Sequence, residues 1–408
     1  PGKFIHDPIL IKRALLEDAK WFKKQLITLD VDYKAAFDKV PYFIKEMSLR
    51  RLGLPERGIA LWCKHDQTRQ QHVRTAHGLA NGVHPRCGAF GQGAEESPMG
   101  FVSLMCWKCD YIYSDVDKTH PYKYTAGPES YKAEEVGGFG DRAHRALELT
   151  KTLFCDDSSY TTCTVAGASY VLHRIGIFAA AAGMELNVKK TFYVKMNMTE
   201  ECSSPLVIPM PEFDTSAYDT SAGQIYRYIH PVRAVPIKEE TPDTEWRHLG
   251  NFQSNNGSSA ETRRQLRAVI NDDISYMASK RVTSDGALMG YKLKFLPKML
   301  YRTKHGNLTQ PQINSLQSSV NRLLKPKLRV PMTMPDDIFY GSGVAGGVEF
   351  PHLWDETNIE KLIILQASLQ DSSEDIYHIM MGNVTRQQMR LRTVTTPLRT
   401  KWDGIRKM

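Results

Sequence analysis

The order of apolar and polar positions gives the chain its first outline. Residues 5–25 carry Ile9, Ile11, Leu15, Leu16 and Phe22 among lysines and arginines, a weakly helical spacing that runs into Leu26-Ile27-Thr28-Leu29, a strand candidate. Val40-Pro41 then leads into a second helix, with Phe43, Ile44, Met47 and Leu52 on one face and Gly53 as its stop. Strand-like pieces around 70–87 precede a segment with Gly88, Gly91, Gln92 and Gly93, and Ser97-Pro98 supplies an N-cap and first turn for a helix over Met99 to Ile112. Residues 114–149 are polar and read as an insertion or surface loop. Between Thr152 and Thr164 two short strands meet at a tight acidic turn, Cys155-Asp156-Asp157.

Ala168 to Ala182 predicts an alanine-rich helix with Val171, Leu172, Ile175 and Phe178 on its apolar side, ending at Gly183, and a strand follows over Phe192 to Lys195. Residues 197–245, rich in Pro, Ser and Thr, predict only short strands, and Trp246 to Phe252 a tight apolar turn. Ser258-Ser259-Ala260-Glu261 reads as a capping box opening a helix with Leu266, Val269, Ile270, Ile274 and Met277 on one side. A further helix is predicted near Ile313, Leu316, Val320, Leu323 and Leu324.

Composition adds bounds. A chain of 408 residues exceeds one ordinary core, so two or three domains are expected. With 41% apolar and 24% charged residues it has a globular balance. No apolar run approaches the ~18–20 residues of a membrane span, so no membrane partner is expected. Seven cysteines, an odd number without regular spacing, argue against a disulfide framework and for a reducing, intracellular compartment. Cys106 and Cys109 form a lone pair lacking the second pair a structural zinc site needs. The net charge of +8 suits a polyanionic partner. The start at Pro1-Gly2-Lys3, with neither methionine nor targeting region, reads as that of a processed piece.

The acids carry the chemistry. Asp156 and Asp157 repel one another beside apolar neighbours, so they need solvent, basic partners or a cation; a solvated turn meets that need as well as a metal does. Asp30 and Asp32 stand at the end of the first strand, where the pattern changes to helix, a common position for functional groups.

In this order the signals resemble the palm and thumb of reverse transcriptases, most closely those of non-LTR (LINE-type) retrotransposons, over roughly residues 1–305. The family's first block, an acid followed by x-x-x-Ala-[Phe/Tyr]-Asp-x-Val, is matched by Asp32-Tyr-Lys-Ala-Ala-Phe37-Asp38-Lys-Val40. Its glycine–glutamine block is similar to Gly88-Ala-Phe-Gly-Gln92-Gly93. Its [Phe/Tyr]-x-Asp-Asp block corresponds to Phe154-Cys-Asp156-Asp157, with cysteine where alanine is usual. Its Gly-Leu-x-Leu-Asn-x-x-Lys-Thr block corresponds to Gly183-Met-Glu-Leu-Asn187-Val-Lys-Lys190-Thr191, with Met184 for leucine, and its Leu-Gly turn to Leu249-Gly250.

The resemblance implies an α+β, right-hand polymerase fold: a fingers remnant over 1–25, a palm with antiparallel sheet and packed helices over 26–255 containing the 114–149 insertion, a helical thumb over 256–330 and a C-terminal helical extension over 331–408. It implies RNA-directed DNA synthesis with two Mg²⁺ ions, Mn²⁺ being able to replace them. Asp32, Asp156 and Asp157 would be catalytic metal ligands and Lys190 a catalytic lysine for the leaving pyrophosphate. Phe37 would gate against a ribose 2′-hydroxyl, core packing being the competing role. Gln92 and Gly93 would line the nucleotide pocket, while Arg263, Arg264, Arg267, Lys292 and Lys294 would follow the phosphates of an RNA·DNA hybrid. Expected partners are an RNA template, a DNA primer, dNTPs and another chain or segment supplying the fingers, with the nucleus favoured by family. Asp30 competes with Asp32, but the six-residue spacing to Asp38 favours Asp32. The alternative is a catalytically silent, reverse-transcriptase-derived structural or RNA-binding component of a ribonucleoprotein. An RNA-dependent RNA polymerase is disfavoured by Phe37.

Overall fold

A short run of Leu, Ile, Thr and Val can sit in the middle of a sheet because it can bury both of its faces. In the computed structural model, which describes residues 6–34, 36–37, 40–68, 70–71, 74–75, 78–79, 84–85, 97–125, 146–154, 157–199, 205–214, 227–254, 257–370, 376 and 379–380, this is the place of β1 (Leu26–Val31), buried at every position. It follows α1 (His6–Phe22) and continues past Asp32 into β2 (Tyr33–Lys34). Next come α2 (Tyr42–Arg51), α3 (Glu56–Thr68) and four two-residue strands, β3 (Gln70–Gln71), β4 (Arg74–Thr75), β5 (Gly78–Leu79) and β6 (His84–Pro85). Then α4 (Ser97–Ile112) and α5 (Val116–Thr119) lead to β7 (Tyr122–Thr125), β8 (Ala146–Leu149) and the hairpin strands β9 (Lys151–Phe154) and β10 (Asp157–Thr162). After α6 (Val165–Ala181) run β11 (Glu185–Leu186), β12 (Phe192–Met196), β13 (Val207–Asp214), β14 (Arg227–Pro236) and β15 (Lys238–Glu240).

The main sheet has the order β15-β12-β1-β10-β9, antiparallel except for the parallel β12–β15 edge, so the expected all-antiparallel sheet is in fact mixed. Ile27, Leu29, Val31 and Tyr160 point to one face, where Phe101, Leu104 and Met105 of α4 and Val171, Leu172 and Ile175 of α6 cover them. The helix stops follow from glycine. Gly53 and Gly183 take φ of +77° and +65°, and the residues after them, Leu54 and Met184, donate back to Leu49 and Ala179, closing the last turns. The main sheet, α4 and α6 belong to one of two compact units, formed by Asp18–Tyr124 and Leu147–Thr241.

The other unit comprises Pro1–Glu17, Thr125–Ala146 and Pro242–Met408. It contains the hairpin β16 (Trp246–His248) and β17 (Asn251–Gln253), turned by Leu249 and Gly250 with φ of +48° and +78°, the mirror-image turn that matches strand twist. Then follow α7 (Ala260–Ala278), α8 (Ser284–Gly290), a π-helical turn over Tyr291–Phe295, α9 (Leu296–His305), α10 (Gln310–Lys327), α11 (Asp336–Tyr340) and α12 (Leu353–Gln370). Leu266 and Ile270 of α7 pack with Ile313, Leu316, Val320 and Leu324 of α10, and with Phe339, Phe350 and Leu353 from beyond residue 330. Together the two units make a mixed α+β protein. Among the described residues no helix is long and apolar enough to cross a membrane.

Four expectations are corrected. On α2 the buried residues are Ile44, Lys45, Ser48 and Leu49, while Phe43, Met47 and Leu52 are exposed; α2 meets α4 through small groups, Ser103 Oγ donating to the Ser48 carbonyl at 2.8 Å. The segment 114–149 is not merely a surface loop, since α5, β7 and β8 lie in it and Tyr122 and Tyr124 are fully buried; residues 126–145 lie outside the described residues. Residues 197–245 hold a long hairpin, β13 with β14, in which prolines are tolerated because each strand of a two-stranded ladder has a free edge. The helix at 260 has no capping box. Its N-cap is Ser259, without a side-chain cap bond, and the Glu245 carboxylate does the capping, accepting from the backbone N–H of Ala260 at 2.9 Å and of Glu261 at 2.8 Å. A carboxylate at a helix N-terminus makes charge-assisted bonds to donors that otherwise have no partner. Glu245→Ala is therefore expected to lower stability by about 1–2 kcal/mol, read by denaturant unfolding; Ser258→Ala should cost less, and the reverse order would contradict the assignment.

Candidate active site

The sheet register brings the two acidic segments together. Val31 faces Ser158 across the β1–β10 ladder, so Asp32 and Asp157 stand one step further, beside each other. Alternation puts Asp30, Asp32 and Asp157 on the face opposite the one packed against α4 and α6. Asp157 pairs with Phe154 across the β9–β10 hairpin, and the two residues between them, Cys155 and Asp156, lie outside the described residues. Asp30 is buried, at 8% exposure, whereas the Asp32 side chain is 28% exposed and half-open to solvent.

Asp32 is also the acid on which other groups converge. Gly183 ends α6, β11 pairs with β2 through Glu185↔Lys34 and Leu186↔Tyr33, and the turn that follows starts at Asn187. Its backbone N–H donates to the Asp32 carbonyl at 2.9 Å, and its carbonyl accepts from Lys190 and Thr191 N–H at 3.0 and 2.9 Å. Within this turn Asn187 Nδ2 donates to Asp32 Oδ2 at 2.9 Å, and the Asp32 N–H donates to Thr191 Oγ1 at 3.3 Å. Lys190 Nζ stands 3.7 Å from Asp32 Oδ2 on a largely exposed stem. The sequence block thus has a geometric reason: its asparagine and lysine address the Asp32 carboxylate and its threonine the Asp32 backbone N–H.

Phe37 is half-buried, packed on the core and stacked on Phe101 of α4 with ring centroids 4.3 Å apart. Gln92, Gly93 and Asp38 lie outside the described residues. In the other unit Arg267, Lys292 and Lys294 are exposed, Lys294 Nζ lying 4.0 Å above the Tyr276 ring, and Arg263 is half-buried. Arg264 is exposed but forked onto Glu261 at 2.6 and 2.7 Å; with Gln265 it holds the Glu261 carboxyl down to about 2. Among the described residues no group of three or more His, Cys, Asp or Glu side chains forms a ready cation cage.

Two residues with no role in the sequence reading stand out. Asn187 sits in a recognised block, but nothing in its spacing told that the amide would reach Asp32. Lys108 carries a legible signal: Phe101, Leu104, Met105, Lys108 and Ile112 recur at helical spacing, so a lysine stands on the buried stripe of α4, and it is fully buried. Asn187→Ala removes the bond that holds the Asp32 carboxylate. The loss is expected to be about 1 kcal/mol of stability, read by denaturant unfolding; an unchanged unfolding free energy would remove this bond from the site.

No protein-family model matches this chain, and no curated protein matches it by sequence. Among solved structures it is similar to telomerase from Candida albicans in complex with a TWJ fragment of telomeric RNA, at 11% identity and a TM-score of 0.32, over 91% of this chain and 52% of that one. The chain spans about half the length of that neighbour, and a likeness at this level carries no functional argument.

Proposed function

We propose that this chain is the core of an RNA-directed DNA polymerase of the non-LTR retrotransposon kind. The observation that carries the reading is the placement of Asp32 and Asp157 side by side at the ends of β1 and β10, with Asn187, Lys190 and Thr191 gathered on Asp32. Hard carboxylate oxygens half-open to solvent are the donors that Mg²⁺ takes, so the residues fit that ion, and Mn²⁺ accepts the same donors. Asp32, Asp157 and Asp156 would hold the metal. When bound, two such ions supply stabilisation of the attacking 3′-oxygen and the leaving pyrophosphate.

The chain's own groups do the rest. Asn187 fixes the rotamer of Asp32, so the carboxylate needs no reorganisation when substrate arrives. Lys190, exposed on its stem, neutralises or protonates the departing pyrophosphate. Phe37, braced by Phe101, presents a bulky edge to the sugar and favours dNTPs over rNTPs, and Gln92 and Gly93, outside the described residues, would contact the nucleotide. Arg263, Arg267, Lys292 and Lys294 bind template–primer phosphates, and Arg264 joins them only by releasing Glu261. Affinity is then salt-dependent and tolerant of sequence.

Primer extension on an RNA template with dNTPs and Mg²⁺ tests the reading. Incorporation of dNTPs supports it. RNA binding without incorporation, in either Mg²⁺ or Mn²⁺, replaces it with the silent RNA-binding component.

A further inference from the structure

We propose that Lys108 is a positioning residue that ties the two acid-bearing segments to each other from beneath the sheet. The inference rests on the polymerase reading for its consequence, though not for its geometry. Lys108 Nζ donates to Ser158 Oγ at 2.9 Å and to the Tyr33 hydroxyl at 3.3 Å. Ser158 directly follows Asp157, and Tyr33 directly follows Asp32. One ammonium therefore bonds the residue after each acid, on the face opposite the acids themselves.

This tie stands where the ladder gives out. Val31↔Ser158 is the last register pair of β1 and β10, so no further rung of that ladder joins Asp32 to Asp157, which pairs instead with Phe154 of β9. Lys108 supplies a bridge at that level, through side chains instead of backbone. The rings of Tyr33 and Tyr160 lie 4.9 and 5.6 Å from Nζ, offering their negative faces to the cation.

Packing alone does not account for a lysine here. A buried ammonium carries a desolvation penalty of several kcal/mol, whereas methionine fills a similar volume on an apolar stripe without one. What lysine adds is donors, and its donors reach both acidic segments. The same residue sits on α4, whose first turn follows the glycine–glutamine segment, so the tie also couples that helix to the acids.

The test uses the full chain, with Lys108→Met as the principal variant and Mn²⁺ alone as the probe. Binding is read by electron paramagnetic resonance, folding by circular dichroism, and turnover by primer extension. A folded Lys108→Met protein is expected to bind Mn²⁺ about tenfold more weakly and to lose about 10–100-fold in kcat, with KM for dNTP changed less than about threefold. Ser158→Ala, which keeps the cation and removes one bond, is expected to move Mn²⁺ affinity the same way by a smaller factor. Wild-type Mn²⁺ affinity in folded Lys108→Met overturns the proposal. If that variant does not fold, Ser158→Ala and Tyr33→Phe decide, and unchanged affinity in both overturns it. A parent chain that binds Mn²⁺ but extends no primer ends the polymerase reading while leaving Lys108 to be judged on affinity; one that binds no Mn²⁺ overturns both.

Discussion

Asp32→Asn is expected to reduce single-nucleotide incorporation by roughly 10³-fold or more while leaving the melting temperature nearly unchanged. The substitution keeps the shape of the side chain and replaces the carboxylate proposed to hold the metal with a neutral amide, so the loss falls on transition-state charge and not on packing. Asp30→Asn separates the two candidates at the end of β1. Asp30 is buried in the ladder opposite Ser159 and Phe192, whereas Asp32 is half-open and held by Asn187. The Asp30 variant should therefore keep incorporation within about tenfold of the parent. If Asp30→Asn gives the larger loss in single-turnover assays, the ligand assignment moves from Asp32 to Asp30.

The largest stability effect is expected at Gly176, in the middle of α6. A Cβ there would meet the Pro209 carbonyl oxygen far inside contact distance, with the Pro209 ring carbons at 2.7 and 2.9 Å. The obstructing atoms belong to β13, whose ladder with β14 fixes them, so neither side can move away cheaply. Gly176→Val should destabilise by about 3 kcal/mol or more and lower the melting temperature by about 10 °C. An unchanged melt would mean that α6 does not approach β13 as closely as described. Glycine in a helix interior ordinarily costs about 1 kcal/mol relative to alanine; here it is what permits the close approach.

The parts of the fold that could be read from the sequence are those fixed within a few residues. Leu26 to Leu29 announced β1, the Cys155-Asp156-Asp157 turn announced the β9–β10 hairpin, and Gly53 and Gly183 announced helix stops, because each signal and its cause lie in the same turn or strand. Interactions between distant segments were not legible. The α7 cap comes from Glu245, 15 residues upstream of the N–H it binds, so the nearby Ser-x-x-Glu pattern pointed to the wrong acceptor. The buried face of α2 was misjudged because Ser48 and Ser103 allow α2 and α4 to approach, which turns Phe43 and Met47 outward.

The candidate site divides in the same way. Its acids and the Asn187–Thr191 block could be picked out as residue types at telling spacings. The rung that sets Asp157 beside Asp32, the amide that holds Asp32 and the bonds from buried Lys108 to Ser158 and Tyr33 could not, since each depends on how segments distant in the chain align. Spacing names the candidates; register decides which of them meet.

That register has a consequence for the birth of the protein. Thr28 pairs with Thr161 on one side and Val194 on the other, and the Asn187–Asp32 bond spans 155 positions. On a ribosome adding about 5–20 residues per second, β1 emerges roughly 10–30 s before β12 can flank it. Until β10 emerges Leu26–Val31 has two open edges, and until β12 follows one of them stays open, a template for pairing with other chains. Contacts so far apart also slow folding after release. The central position that makes β1 a rigid mount for Asp32 thus makes the nascent chain dependent on dilution or on a chaperone until the second flank arrives.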